Sequence, residues 1–178
     1  MTRGNPCVML PDLHVYSVEV GSRIAPGENV SEDERREKRV EMMFASTLDS
    51  VDQAEEQAVR FAEEAGFNEE DLQKVGMAVR ESMVNAVLHG NQYDPEKQAA
   101  MRLELDHGKL IITITDQGNG FEESRVPDPL SQENLLRQSG RGIFLIRAFM
   151  DEFHVRRLQP KGTEVRLIKY PAGETKEE

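Results

Sequence analysis

Glu81 and Asn85 stand four residues apart in the segment Glu81-Ser82-Met83-Val84-Asn85-Ala86, whose apolar spacing predicts a helix. A four-residue step puts both side chains on one helix face, a turn apart. A Glu so placed can take the proton of an attacking hydroxyl. The Asn offers a neutral oxygen ligand, useful to a hydrated Mg²⁺ that also takes phosphate oxygens. An ordinary surface pair would share this spacing. Asp116 ends a β-branched run and is followed by Gln117-Gly118-Asn119-Gly120. A carboxylate there can accept a hydrogen bond from an adenine amino group, while Gly118 and Gly120 let backbone approach the ring. A plain strand-ending turn is the alternative. Ser139-Gly140-Arg141-Gly142 precedes a predicted helix, whose N-terminal amides suit a phosphate. Arg141 either adds positive charge to that site or is a surface side chain. No Gly-Lys-Ser/Thr follows, so this is not a Walker A loop. Lys161-Gly162-Thr163-Glu164 read alone is a tight turn opening a strand, and His89 fits either a helix C-terminal cap or a phosphate contact.

These residues need elements to hold them. Ser50 or Asp49 can cap a helix running to Ala65 and ended by Gly66. Asn68 caps the next, which carries Leu72, Val75, Val79 and Ala86 at helical spacing as far as Leu88. Glu41–Ser46 reads as a short edge strand, and Val15–Val20 as a possible strand in a Gly- and Pro-bearing N-terminus. Met101, Leu103 and Leu105 alternate with charged residues, His107-Gly108 turns the chain, and Leu110–Thr115 returns as the second arm of a hairpin. Phe121–Ser139 is a long loop with two prolines, and such loops are usually lids or disordered. Gly142–Met150 reads as a helix, with Phe153–Arg157 and Glu164–Tyr170 as closing strands. The expected fold is α+β, a two-layer sandwich with a mixed, mostly antiparallel sheet covered by helices on one face. Residues 1–38 are expected to be a loosely ordered extension, 39–171 the domain, and 172–178 a polar tail.

The ordered set of four motifs, with His89-Gly90-Asn91 completing the first, resembles the ATP-binding domain of the GHKL superfamily of gyrase, Hsp90, histidine kinases and MutL. Within it the chain is most similar to the small bacterial anti-sigma factor serine kinases, over roughly residues 38–170; Ser139–Asp151 is especially close. The resemblance implies ATP and Mg²⁺ as cofactors, with Glu81 as general base and Asn85 as the metal ligand. It assigns Asp116, with Gly118 and Gly120, to adenine, and Gly140, Arg141 and Gly142 to a hinge over the phosphates. Thr163 would support Asp116 through its hydroxyl. The implied activity is serine/threonine phosphorylation of a STAS-type anti-anti-sigma protein by a homodimer that also holds a sigma factor. The alternative is a nucleotide-dependent protein-binding module with little or no kinase activity. A histidine kinase would need an upstream helix pair bearing a phospho-accepting His, which His14 beside Pro11 does not provide. Gyrase, Hsp90 and MutL relatives would need further domains.

Composition limits the other classes. At 178 residues with 38% hydrophobic and 31% charged side chains, the chain can bury one real core. A net charge of −11 opposes nonspecific nucleic-acid binding, which rests on phosphate neutralisation. No run approaches the roughly 18 apolar residues of a membrane helix. The lone Cys7 and the interrupted N-terminus lead us to expect a cytoplasmic location with no direct membrane association. From Asp49 to Asp71, nine carboxylates face one base, Arg60. That run is either a solvated helix face or a surface steering a basic partner.

Overall fold

Alternation decides the sheet. A computed structural model describes residues 13–16, 38–119 and 138–171, with backbone alone for 13–16 and 138–141. Six strands, β1 (Leu13–Tyr16), β2 (Lys38–Ala45), β3 (Gln98–Asp106), β4 (Lys109–Thr115), β5 (Glu152–Arg157) and β6 (Thr163–Lys169), form one sheet in the order β1-β2-β3-β4-β6-β5. Every described pairing is antiparallel. Register lines apolar side chains up in rows across it. One row runs Val40, Leu103, Ile112, Leu167, Phe153, and the next runs Met42, Met101, Ile114, Val165, Val155. The opposite face carries charged cross-strand neighbours, among them Arg156 with Glu164 at 2.6 Å. A one-residue slip would exchange these faces, so burial of the rows fixes the register.

Helices α1 (Leu48–Glu64), α2 (Glu69–Val84) and α3 (Gln138–Phe149) cover the apolar face. Phe44, Met101, Leu103 and Ile112 are buried beneath them together with Val75, Val79 and Met83 of α2. Each such side chain contributes about 1.5–3 kcal/mol through removal from water. The fold is thus the expected α+β sandwich.

Several boundaries move. Thr47, rather than Asp49 or Ser50, caps α1: its Oγ1 accepts the Ser50 amide at 3.3 Å, while Ser50 itself is buried. Asn68 caps α2 as expected, its Oδ1 accepting the Asp71 amide at 2.9 Å. The strand expected at Glu41–Ser46 spans Lys38–Ala45 and is not an edge, because β1, four residues of the expected extension, pairs along it. The His107-Gly108 turn has positive φ at both residues (47° and 84°), the twist that suits a tight hairpin. Of the loop expected at Phe121–Ser139, Gln138 and Ser139 are instead the first residues of α3, while Gly120 and residues 121–137 lie outside the described residues, as do residues 1–12, 17–37 and 172–178. Among the described helices none is long and apolar enough to cross a membrane.

Candidate functional site

After Val84 the helix widens into a π-helical segment, Asn85–Gly90, in which the Asn91 amide reaches back to the Ala86 carbonyl at 2.7 Å. Such wide turns often sit at functional sites because they redirect side chains from a helix face. Here the segment hangs over the β4–β6–β5 end of the sheet. Between them, and bounded by α3, lies a cleft of about 400 Å³. Phe153, Val155 and Val165 share the buried rows' face yet stay half-buried, because they floor this cleft rather than meeting a helix. Ile114, Ile143 and Ile146 complete the apolar wall, while Asn85, His89, Asp116, Asn119 and Thr163 supply its polar groups. A mostly apolar concavity with a few convergent polar groups suits a flat, weakly polar ligand portion.

Asp116 is 7% exposed at the C-terminal end of β4. Its Oδ1 accepts the amides of Gly118 (2.8 Å) and Thr163 (3.1 Å), and its own amide donates to the Thr163 carbonyl at 3.0 Å. Both backbone bonds fall on Oδ1, leaving Oδ2 beside Gly90 at the cleft. Burial raises the carboxyl above its usual range, and the Gly118 and Thr163 hydrogen bonds oppose that rise. Thr163 therefore holds Asp116 by backbone as well as by its hydroxyl.

Three glycines make this approach possible. A methyl on Gly90 would stand 2.5 Å from Asp116 Cγ, and one on Gly118 would overlap the Gly90 carbonyl. Gly162 adopts φ +109°, closed to other L-residues without strain, and passes directly over the Asp116 carbonyl. Gly90 and Gly162 carry no role in the motif-based expectation; their place beside Asp116 emerges only from packing.

At the far end of the site, Asn85 lines the cleft with its side chain half-buried. Glu81, a turn earlier, is not among the lining residues. Its Oε2 lies against Gly142, where an added methyl would approach to 2.5 Å. Gly140 and Arg141 were expected just ahead of a helix opening at Gly142. They lie within α3 instead, which begins at Gln138. Ile146 is buried against the core and Ile143 borders the cleft, so packing holds the helix and its pattern extends through the glycines. His89 is exposed in the last turn of the π-helical segment and also lines the cleft. Among the described residues no three His, Cys, Asp or Glu side chains cluster as a protein-only metal cage. Asn85 brings one side-chain amide to the cleft, a donor type compatible with a Mg²⁺ that keeps waters and phosphate oxygens as its other ligands.

The acidic run divides on folding. Asp71 is buried against Lys169, which also meets Asp151, while Asp52 and Glu55 share Arg80 at 2.7 and 2.6 Å. Much of that charge is paired within the domain.

Comparison with known proteins agrees with this geometry. The histidine kinase-like ATPase domain model matches residues 44–169. The anti-sigma F factor of Clostridium botulinum (strain Eklund 17B / Type B) is 32% identical over 102 residues, 56% of this chain and 71% of that protein. That of Geobacillus sp. (strain WCH70) is 35% identical over 104 residues, covering 57% and 70%. That of Clostridium perfringens (strain 13 / Type A) is 33% identical over 103 residues, covering 56% and 73%. Residues 44–169 carry strands β3 to β6, all three helices and the cleft, and the chain belongs to the histidine kinase-like ATPase domain family.

Proposed function

We propose that the chain is an ATP-dependent serine/threonine protein kinase that acts as an anti-sigma factor in a partner-switching system. The observation that carries this reading is the cleft itself. A buried carboxylate, Asp116, lines it together with Asn85, and Glu81 lies one turn from Asn85. Adenine would enter over Phe153, Val155 and Val165, its amino group donating to Asp116 Oδ2. The triphosphate would then extend along the π-helical segment towards Asn85 and the first turn of α3, where Gly140 and Arg141 lie. Asn85 would hold Mg²⁺, which when bound neutralises phosphate charge. Glu81 would accept the proton of a substrate serine hydroxyl as its oxygen attacks the γ-phosphorus, the bond from that phosphorus to the β–γ bridging oxygen breaking and ADP leaving. The relatives' name, anti-sigma F factor, supports a sigma factor as one partner. A STAS-type antagonist as the phosphorylated protein and a homodimer as the working form complete the proposal, with the cytoplasm as its location.

The seating of Glu81 against Gly142, off the cleft wall, favours a second reading in which ATP sets the shape of a binding module and is not a phosphoryl donor. Two measurements separate them. Calorimetric titration with Mg-ATP and Mg-GTP, beside Asp116→Asn, should show ATP-selective binding that the variant loses. Transfer of radiolabelled γ-phosphate to a STAS protein should then vanish in Glu81→Ala while ATP still binds. Undiminished transfer by Glu81→Ala would remove Glu81 from the chemistry. ATP binding with no transfer by the parent chain would favour the binding module.

A further inference from the structure

Asn91 has 0% exposure, and every polar group it owns is used. Its amide donates to Ala86 (2.7 Å) and its carbonyl accepts from Asp94 (3.2 Å). Its side-chain Nδ2 donates to Ser46 Oγ (2.9 Å), and its Oδ1 accepts the backbone amide of Gln117 (2.8 Å). Ser46 Oγ in turn donates to the Lys97 carbonyl at 2.8 Å. One side chain therefore ties the end of the π-helical segment to the β2 terminus and to the turn carrying Asp116.

The surroundings show what this tie holds. Gln92 and Tyr93, which follow, sit at φ 58° and 57°, a conformation costing about 1 kcal/mol or more per residue and kept only where neighbours enforce it. Gly90, which precedes, touches the Asp116 carboxyl, and its carbonyl meets Gly118. The Asp116–Gly118 turn is otherwise fastened on its strand side, by Thr163 to Asp116 and by Gln98 to the Gln117 side chain. On the helix side its hydrogen bond is the one from Gln117 to Asn91. Asn91 thus sets the separation between Gly90 and the Asp116 carboxylate, which lines the cleft.

We infer that Asn91 is a positioning residue for base selection: by fixing the Gln117 amide it holds Asp116 where its carboxylate distinguishes a 6-amino purine from a 6-oxo purine. This rests on the nucleotide reading proposed above. The test is calorimetric affinity for Mg-ATP and Mg-ITP, with thermal melting, on the full chain and its variants. Asn91→Ala should lower the ATP-to-ITP affinity ratio about tenfold, the factor one orphaned hydrogen bond is worth. Asn91→Asp keeps an oxygen for the Gln117 amide and should retain the ratio. Ser46→Ala removes the β2 tie and the bond to the Lys97 carbonyl but keeps the Gln117 bond to Asn91, so it should melt earlier with the ratio intact. Should Asn91→Ala fail to fold, the double variant Ser46→Ala/Asn91→Ala removes the hydroxyl that has lost its Asn91 donor and should show the same tenfold fall. A ratio unchanged in Asn91→Ala or the double variant, or lowered as far in Ser46→Ala, would overturn the inference and leave Asn91 a purely structural tie. A parent chain with no preference for ATP overturns the base-selection reading itself, a failure visible before any variant is made.

Discussion

Glu81 and Gly142 meet where α2 packs on α3, and they meet because Gly142 has no side chain: a methyl there would stand 2.5 Å from Glu81 Oε2 and 3.9 Å from Asn85 Nδ2. The glycine of one motif is thus shaped around the acid of another, sixty-one positions earlier in the chain. Gly142→Ala should displace the carboxylate, the flexible end of a side chain, without breaking the helix. Alanine gains up to about 1 kcal/mol in a helix interior. The melting temperature should therefore move by less than about 4 °C. Phosphoryl transfer should fall about 10²-fold, as for an ångström-scale misplacement. Transfer equal to that of the parent would show that the observed Glu81 position is not the working one.

Asp116 links stability to pH. Its carboxyl titrates above the ordinary 3.8 because burial outweighs its hydrogen bonds. A raised folded-state value gives stability that is complete below the unfolded value and lost as pH rises through the folded one. Asp116→Asn keeps an oxygen for Gly118 and Thr163 while removing the buried charge. The ligand-free variant should be at least as stable as the parent at pH 7, its margin shrinking as pH approaches 4. Parent affinity for ATP should move the opposite way, weakening as acid protonates the carboxylate. Urea denaturation and calorimetry across pH 4–7 would reveal either slope; a parent more stable than the variant at pH 7 would contradict the first.

Gly90→Ala should damage binding and folding together. The added carbon would lie 2.5–2.9 Å from three Asp116 side-chain atoms, an overpacking that costs about 1–3 kcal/mol. ATP affinity should drop at least about tenfold as Asp116 turns away. Gly66→Ala is the control. At φ +88° with nothing within 4 Å, it strains only the backbone, so it should lower the melting temperature and leave ATP affinity intact.

Lys169 should matter for stability alone. It is 8% exposed on the helix-facing side of β6, 3.3 Å from Asp71 and 3.1 Å from Asp151. Lys169→Met leaves those carboxylates without their shared cation. The loss should be about 3 kcal/mol, at the low end for a broken buried pair because Asp151 remains partly in water. That corresponds to about 6–12 °C in melting temperature. Nucleotide affinity measured well below the transition should not change.

What the residues decide locally was readable in order along the chain. Alternation in Met101–Leu105 and the β-branched Leu110–Thr115 gave the central hairpin, and Asn68 with Leu72, Val75 and Val79 gave α2, because periodicity and capping act within a few residues. The pairing of Glu81 with Asn85 was likewise a matter of helix pitch. Other features came only with tertiary structure. The first strand beside β2, the inclusion of Gly140 and Arg141 in α3, and the contacts of Gly90, Gly118 and Gly162 around Asp116 all depend on positions far apart in sequence. The same holds for Asn91, whose type suits many turns and whose role is set by Ser46 and Gln117, forty-five positions before it and twenty-six after it. Burial made the difference: a polar side chain closed off from water must find partners, and which partners it finds depends on how the layers meet.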